Sequence, residues 1–353
     1  MPCLLMANSA CASLTVLLGI IVSINHRQEK LEMKETFEET IGKARKLLGE
    51  NRENWEGRYA SYASGILARE EEIKAAKRKF HKWKQLFVYT NVTDAKKKGD
   101  PLFQLRYRGQ HIANLHVKGD SVKIKIEDEQ RKSSEKNFRG CPKFFGEQDW
   151  RGKDAEALRA FFATYPGRND NKKANEEHRI ESLILSAIDG DGGNKELEGF
   201  RGIKPVKMFG IARFQFPTPL AASQPNDIKH SGPSGGGIDI LARNKQRRIC
   251  ILELKAKPEK VSNVLKQGLA YAVFIRELLR SKSGEKWYRL MGFGGKVPSA
   301  LRINVVAVMP DKPDADISFS GKELSLGDND KAVLHYMYFT ESNNEIIAIR
   351  TSL

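Results

Sequence analysis

The stretch Ser234–Lys257, SGGGIDILARNKQRRICILELKAK, decides how the chain is read. Two apolar runs, IDILA and ICILEL, flank a basic turn. Glycines open the first run, and both runs have the length and β-branched content of strands. Three charged residues stand in or beside them. Asp239 lies between Ile238 and Ile240, and Glu253 is separated from Lys255 by Leu254 alone. Burying an acid or a lysine is costly unless something pairs with it. Residues two apart on a strand point to the same face, so Glu253 and Lys255 project together and Leu254 goes the other way. A hairpin across residues 237–255 brings Asp239 beside that pair.

Working outward, VSNVLKQGLAYAVFIRELL, residues 261–279, reads as a helix. It carries Gln267 and Tyr271 at i and i+4, on one face. RINVVAVMP, 302–310, is a further strand. On the other side, NEEHRIESLILSAI, 175–188, is an amphipathic helix with Asn175 as a candidate N-cap. Glu181 borders its stripe of Ile184, Leu185 and Ile188, and Glu177 lies one turn earlier. VKMFGIARFQF, 206–216, reads as one strand. From residue 175 the order is therefore helix, three strands, helix, strand.

This order and cluster resemble the PD-(D/E)xK nuclease superfamily, in which an Asp ends one strand and Glu-x-Lys lies on the next. Here these are Asp239 and Glu253–Leu254–Lys255, with Ile238 in place of the superfamily's proline. Gln267 and Tyr271, in QGLAY, resemble the QxxxY motif of its RecB-like branch. The resemblance covers 175–310, about two fifths of the chain. It implies an α/β (α+β) fold with a restriction-endonuclease-like core, αβββαβ, whose mixed sheet is flanked by helices, within residues 172–353. It also implies a Mg²⁺-dependent nuclease, with Mn²⁺ able to substitute, hydrolysing phosphodiester bonds in DNA, with bacterial restriction or phage defence as a setting. The metal ligands would be Asp239, Glu253 and an acid of the first helix, Glu181 or else Glu177. Lys255 and Gln267 would join these as catalytic residues, and Tyr271 and Lys266 would bind substrate. Asp227, in a loop without strand pattern, is a weaker alternative for the strand acid.

The residues support this independently of the name. Two converging carboxylates suit a hard cation such as Mg²⁺. A lysine beside them can orient a water or stabilise charge developing on a phosphate. An ExK triplet recurs by chance, commonly as a salt bridge on an edge strand. This one follows an apolar run, comes 14 residues after an acid in a second strand, and precedes the helix with Gln267 and Tyr271. SGGG is similar to a phosphate-cradling loop, but such a loop leads into a helix, and here a strand follows.

Charge points the same way. Sixty Lys and Arg against 44 Asp and Glu leave a net +16 and a pI near 9.6. That favours polyanions, nucleic acid first and an anionic membrane surface second. RNA stays open beside DNA, as do a homo-oligomer and a separate motor protein, since no GxxxxGK[ST] is present. Cys3, Cys11, Cys141 and Cys250 form no CxxC pair, which argues against zinc and iron–sulfur sites and fits a reducing compartment.

A chain of 353 residues suggests more than one domain. Residues 1–25 form an apolar segment, uncharged from Pro2 to Asn25, with His26, Arg27 and Lys30 following. It is a candidate membrane anchor that would leave the remainder cytoplasmic. Residues 26–90 read as charged helix. Its tail, Lys77–Lys84, reads either as a nucleic-acid face or as a solvated helix whose aromatics turn to the core. Residues 100–165 read as a small accessory domain, a three-stranded meander turning at RG and KGD, an exposed connection over 127–140 and a short helix at 155–163. Residues 165–175 look like a linker. Two rivals to a nuclease are a non-catalytic nucleic-acid-binding protein of the same fold and a membrane-tethered interaction protein. Intact Asp239, Glu253 and Lys255 favour the enzyme.

Overall fold

The computed structural model describes residues 35–80, 86–90, 92, 103–143, 146–165, 176–189, 197, 200, 202–214, 216–220 and 236–353. Met1–Glu39 and Thr40–Leu353 form separate compact units. In the first, the backbone N–H of Glu39 donates to Thr36 Oγ1 and that of Thr36 donates to a Glu39 carboxylate oxygen. This reciprocal cap starts helix α1 (Phe37–Glu50). The candidate anchor at 2–25, and with it Cys3 and Cys11, lies outside the described residues. Among the described residues, no helix is long and apolar enough to cross a membrane.

Helices α2 (Arg52–Leu67) and α3 (Glu70–Ala76) follow, and a short turn of 3₁₀ helix covers Lys77–Lys79. Phe80 then packs edge-on against Phe103, at 5.1 Å between ring centroids. It thus turns inward, and His81 and Trp83 lie outside the described residues.

The first sheet begins with β1 (Leu86–Thr90), β2 (Phe103–Tyr107), β3 (Gln110–Lys118) and β4 (Ser121–Lys125). β2, β3 and β4 are the expected meander, turning at Arg108–Gly109 and Gly119–Asp120. Alternating burial along β2 and β4 follows from one face packing on a core. The polar stretch expected as an exposed connection is instead helix α4 (Asp128–Asn137). Glu127 and Gln130 make reciprocal cap bonds that satisfy its first N–H groups, which outweighs its lack of an apolar face. β5 (Glu147–Asp149) and helix α5 (Lys153–Thr164) complete this region.

Helix α6 (Glu176–Asp189) comes next, followed by β6 (Lys204–Pro205), β7 (Lys207–Met208), β8 (Ala212–Phe214) and β9 (Phe216–Pro217). The run expected as one strand is therefore two short strands and more, because Phe209 and Gly210 take positive φ, at 50° and 72°, and reverse the chain. β8 pairs with β1 in parallel, so this hairpin joins the meander, giving the order β5-β4-β3-β2-β1-β8-β7.

A second seven-stranded sheet and a separate two-stranded one hold the remaining strands. β10 (Gly237–Ile238) pairs with β9 alone, and β11 (Ile240–Arg243) runs antiparallel to β12 (Ile249–Leu254). Helix α7 (Val261–Arg280) and the short α8 (Gly284–Leu290) lead to β13 (Arg302–Pro310), parallel to β12. β14 (Glu323–Gly327), β15 (Asp330–Ser342) and β16 (Glu345–Thr351) finish the chain, with the order β14-β15-β13-β12-β11-β6 and β16 also on β15. The described residues thus form a mixed α/β structure with two mixed seven-stranded sheets and a two-stranded one. Central β12 is buried throughout, as its unbroken apolar run requires.

Helix α6 lies in the core between the sheets. Ile180, Ile184, Leu185 and Ile188 share one cluster with Phe87 and Tyr89 of β1 and with Leu252, Leu254, Val306 and Val308. Helix α7 crosses β12 and β13 at Gly268, where an added Cβ would stand 2.7 Å from Val305 Cγ1 and 3.8 Å from Glu253 Cβ. Alanine is worth about 1 kcal/mol more than glycine inside a helix. Forcing a stiff β-branched neighbour aside costs about 1–3 kcal/mol. We therefore expect Gly268→Ala to lower the melting temperature, and a rise on thermal denaturation would show that α7 can lift away.

Aromatic rings fasten α2 to α7 and α8. Trp55 meets Phe274 at 5.7 Å and Tyr59 meets Phe274 at 5.1 Å, while Trp287 Nε1 donates to the Tyr59 carbonyl. Arg52 donates to Glu277 at 2.6 Å along the same seam.

Candidate active site

The antiparallel register Ile240↔Leu252 puts Asp239 across from Glu253, one residue beyond the last pair. Asp239 sits in the break between β10 and β11, so its carboxylate can turn to the neighbouring strand. There its Oδ2 accepts the N–H of Leu254 at 2.8 Å. Glu253 is 1 % exposed, and its Oε2 has no hydrogen-bond partner. Lys255 extends from the end of β12, its N–H still bonded to the Val308 carbonyl. Its Nζ lies 3.7 Å from Glu253 Oε1 and 3.6 Å from Glu177 Oε1. The three residues singled out in the sequence thus meet at the carboxyl end of a parallel pair of strands, the usual place for a site on such a sheet.

Helix α6 lays two acids along the same spot. Glu177 is exposed and lines an open cleft of about 420 Å³ together with Glu176, His178, Lys255, Lys257 and Glu259. Glu181 is buried at 2 % exposure. Its Oε1 accepts the Tyr89 hydroxyl at 2.7 Å, and its Oε2 lies 3.3 Å from His178 Nδ1. Tyr89 and His178 were not singled out in the sequence. His178 could have been found as the residue after Glu177 on the same helix. Tyr89 comes from β1, and no local pattern ties it to α6.

On α7, Gln267 Nε2 donates to the Tyr271 hydroxyl at 3.3 Å. Tyr271 is 1 % exposed, so its ring braces Gln267 from within. Burial and the Glu253 charge push its hydroxyl well above the ordinary tyrosine range. Lys266 is half-buried and, one residue from Gln267, points about 100° away around the helix. Asp227 and Asn175 lie outside the described residues.

Crowding of acids sets the electrostatics. Burial, aided by the Glu181 charge, pushes Asp239 up to about 7 against the pull of the Leu254 N–H. Burial and then the Asp239 charge hold Glu253 well above the usual carboxylate range. Burial works to lower the Lys255 ammonium, but Glu253, Glu177 and Asp239 outweigh it and its pKa rises. The hydrogen bond to Glu181 raises His178 against its own burial. Titrating groups perturbed by burial and by specific charged partners make this cluster a candidate functional site.

Two neighbouring carboxylates, one oxygen of them buried without a partner, fit a hard divalent cation. Among the described residues, no three His, Cys, Asp or Glu side chains already stand together as a ready metal cage. Magnesium does not require one, since it is held by one or two carboxylates and completes its shell with water and substrate phosphate. Comparison with protein-family models, with curated proteins and with solved structures finds no match to this chain.

Proposed function

We propose that this protein is a divalent-metal-dependent nuclease that hydrolyses phosphodiester bonds, in DNA in the first place. One observation carries the reading, the convergence of Asp239, Glu253 and Lys255 at the end of β12. The carboxylates of Asp239 and Glu253 would hold Mg²⁺ or Mn²⁺, which when bound supplies charge neutralisation at the phosphate and a more acidic water. Lys255 lines the cleft, and its Nζ could donate to a water or to a phosphate oxygen as charge grows there. Gln267, braced by Tyr271, adds a neutral donor on the α7 side. The net charge of +16 favours a polyanionic substrate over a small neutral one. The PD-(D/E)xK resemblance rests on the ExK element of the sequence, and a bacterial restriction or defence role is the setting that resemblance suggests.

The test is cleavage of a panel of duplex, single-stranded and branched DNA and of RNA, with Mg²⁺, with Mn²⁺ and with EDTA. Cleavage of at least one substrate is expected with either metal, and none with EDTA or in Glu253→Gln. Binding that is tight yet leaves every substrate intact under all conditions would overturn the enzyme in favour of a non-catalytic binder.

A further inference from the structure

The first sheet does more than sit beside the site. Tyr89 reaches from β1 to Glu181 Oε1 at 2.7 Å, with both residues buried. The other carboxylate oxygen meets His178, and that contact also depends on the first sheet. The β2–β3 turn packs so closely on His178 that a Cβ on Gly109 would fall 2.3 Å from His178 Cβ. Gly109 also has φ of +76°, so the close approach and the backbone both call for glycine. Arg106 lies over the Tyr89 ring at 4.6 Å and packs it in place. A carboxylate on a helix has several rotamers, and here one contact from the sheet, Tyr89, and one from His178 on the same helix select one of them.

We propose that Tyr89 is a positioning residue of the active site, through which the meander sheet fixes Glu181 beside Asp239 for divalent-cation binding. This rests on the nuclease reading. Glu181 lies one turn along α6 from Glu177, which meets Lys255 Nζ at 3.6 Å, so the acid held by Tyr89 borders the same cluster. Partners of this outer kind commonly account for about 10–100-fold in metal affinity or activity.

The test is Tyr89→Phe, which keeps the buried ring and removes the hydroxyl, with Mn²⁺ affinity followed calorimetrically on folded protein and cleavage measured beside it. Mn²⁺ affinity is expected to fall about 10-fold or more while the far-ultraviolet spectrum stays that of the parent. Glu181→Gln should bring a similar loss, and adding Tyr89→Phe to it should cost little further, because the hydroxyl acts through Glu181. Parental Mn²⁺ affinity in Tyr89→Phe, or a full additional loss on the Glu181→Gln background, would overturn the proposal. A parent that binds Mn²⁺ and cuts while Tyr89→Phe matches it sinks this inference alone. A parent that neither binds Mn²⁺ nor cuts sinks the nuclease reading, and this inference with it.

Discussion

Lys255→Ala is expected to reduce kcat by about 10²–10³, the typical cost of losing one donor aimed at transition-state charge. KM and Mn²⁺ affinity should change little, because the carboxylates of Asp239 and Glu253 remain and the lost interaction belongs mainly to the transition state. The fold should survive. Lys255 Nζ is 3.7 Å from Glu253 Oε1, at the outer limit of an ion pair, and 3.6 Å from the exposed Glu177. If Lys255 served only as a salt-bridge partner, its removal would strand a buried charge and destabilise by about 3–5 kcal/mol. Measuring kcat, Mn²⁺ affinity and melting temperature on one preparation separates the two. An early melt, or cleavage at the parental rate, ends the catalytic assignment of Lys255.

The second large effect is on stability. Asp239 has a folded pKa of about 7 against an ordinary 3.8. A carboxyl raised on folding binds its proton more tightly in the native state. Its contribution is therefore fully present below about pH 4 and is lost progressively as pH rises toward 7. Each unit of such a shift corresponds to about 1.4 kcal/mol. Without divalent cations, the parent should melt several degrees lower at pH 8 than at pH 5.5. Asp239→Asn should be the more stable protein at pH 8 and should show a shallower dependence, with Glu253, raised in the same direction, responsible for part of the slope that remains. Added Mg²⁺ should lift the parent at pH 8 by binding the native state, and should do little for Asp239→Asn. Equal slopes in parent and variant would show that the Asp239 carboxyl carries no strain.

Much of the site could be read along the chain because its geometry is local. Asp239, Glu253 and Lys255 belong to one hairpin, and strand period and turn length suffice to bring them together. Gln267 and Tyr271 share a helix face for the same kind of reason. The meander was legible from its alternation and its turns. What stayed hidden depended on distant pairings or on short signals. Periodicity marks 206–216 as strand-like but says nothing of which sheet takes it, and the answer rests on β1, more than a hundred residues earlier. Helix α4 turned on Glu127 and Gln130 in a segment with no apolar pattern. Tyr89 reaches a residue 92 positions later. The choice between Glu177 and Glu181 needed burial, which separates an exposed acid on the cleft from one pinned between sheets.

The seam between α2 and the α7–α8 pair has a consequence for how the protein is made. Arg52 bonds to Glu277, and Trp287 to Tyr59, across 225 and 228 residues of sequence. At synthesis rates of about 5–20 residues per second, α2 leaves the ribosome roughly 10–45 s before its partners exist. During that interval Trp55 and Tyr59 lack the rings that cover them, and such surface is the kind that chaperones hold. Such distant contacts also make closure slow, since loop entropy must be lost before the contacts are gained. The hairpin with Asp239 and Glu253 and the helix with Gln267 are both made before that closure completes. Ribosome-bound chains of increasing length, probed by limited proteolysis, would show the N-terminal helices becoming protected only after residue 287 has emerged. A nascent chain built this way reaches its final form late, only once residue 287 has been made.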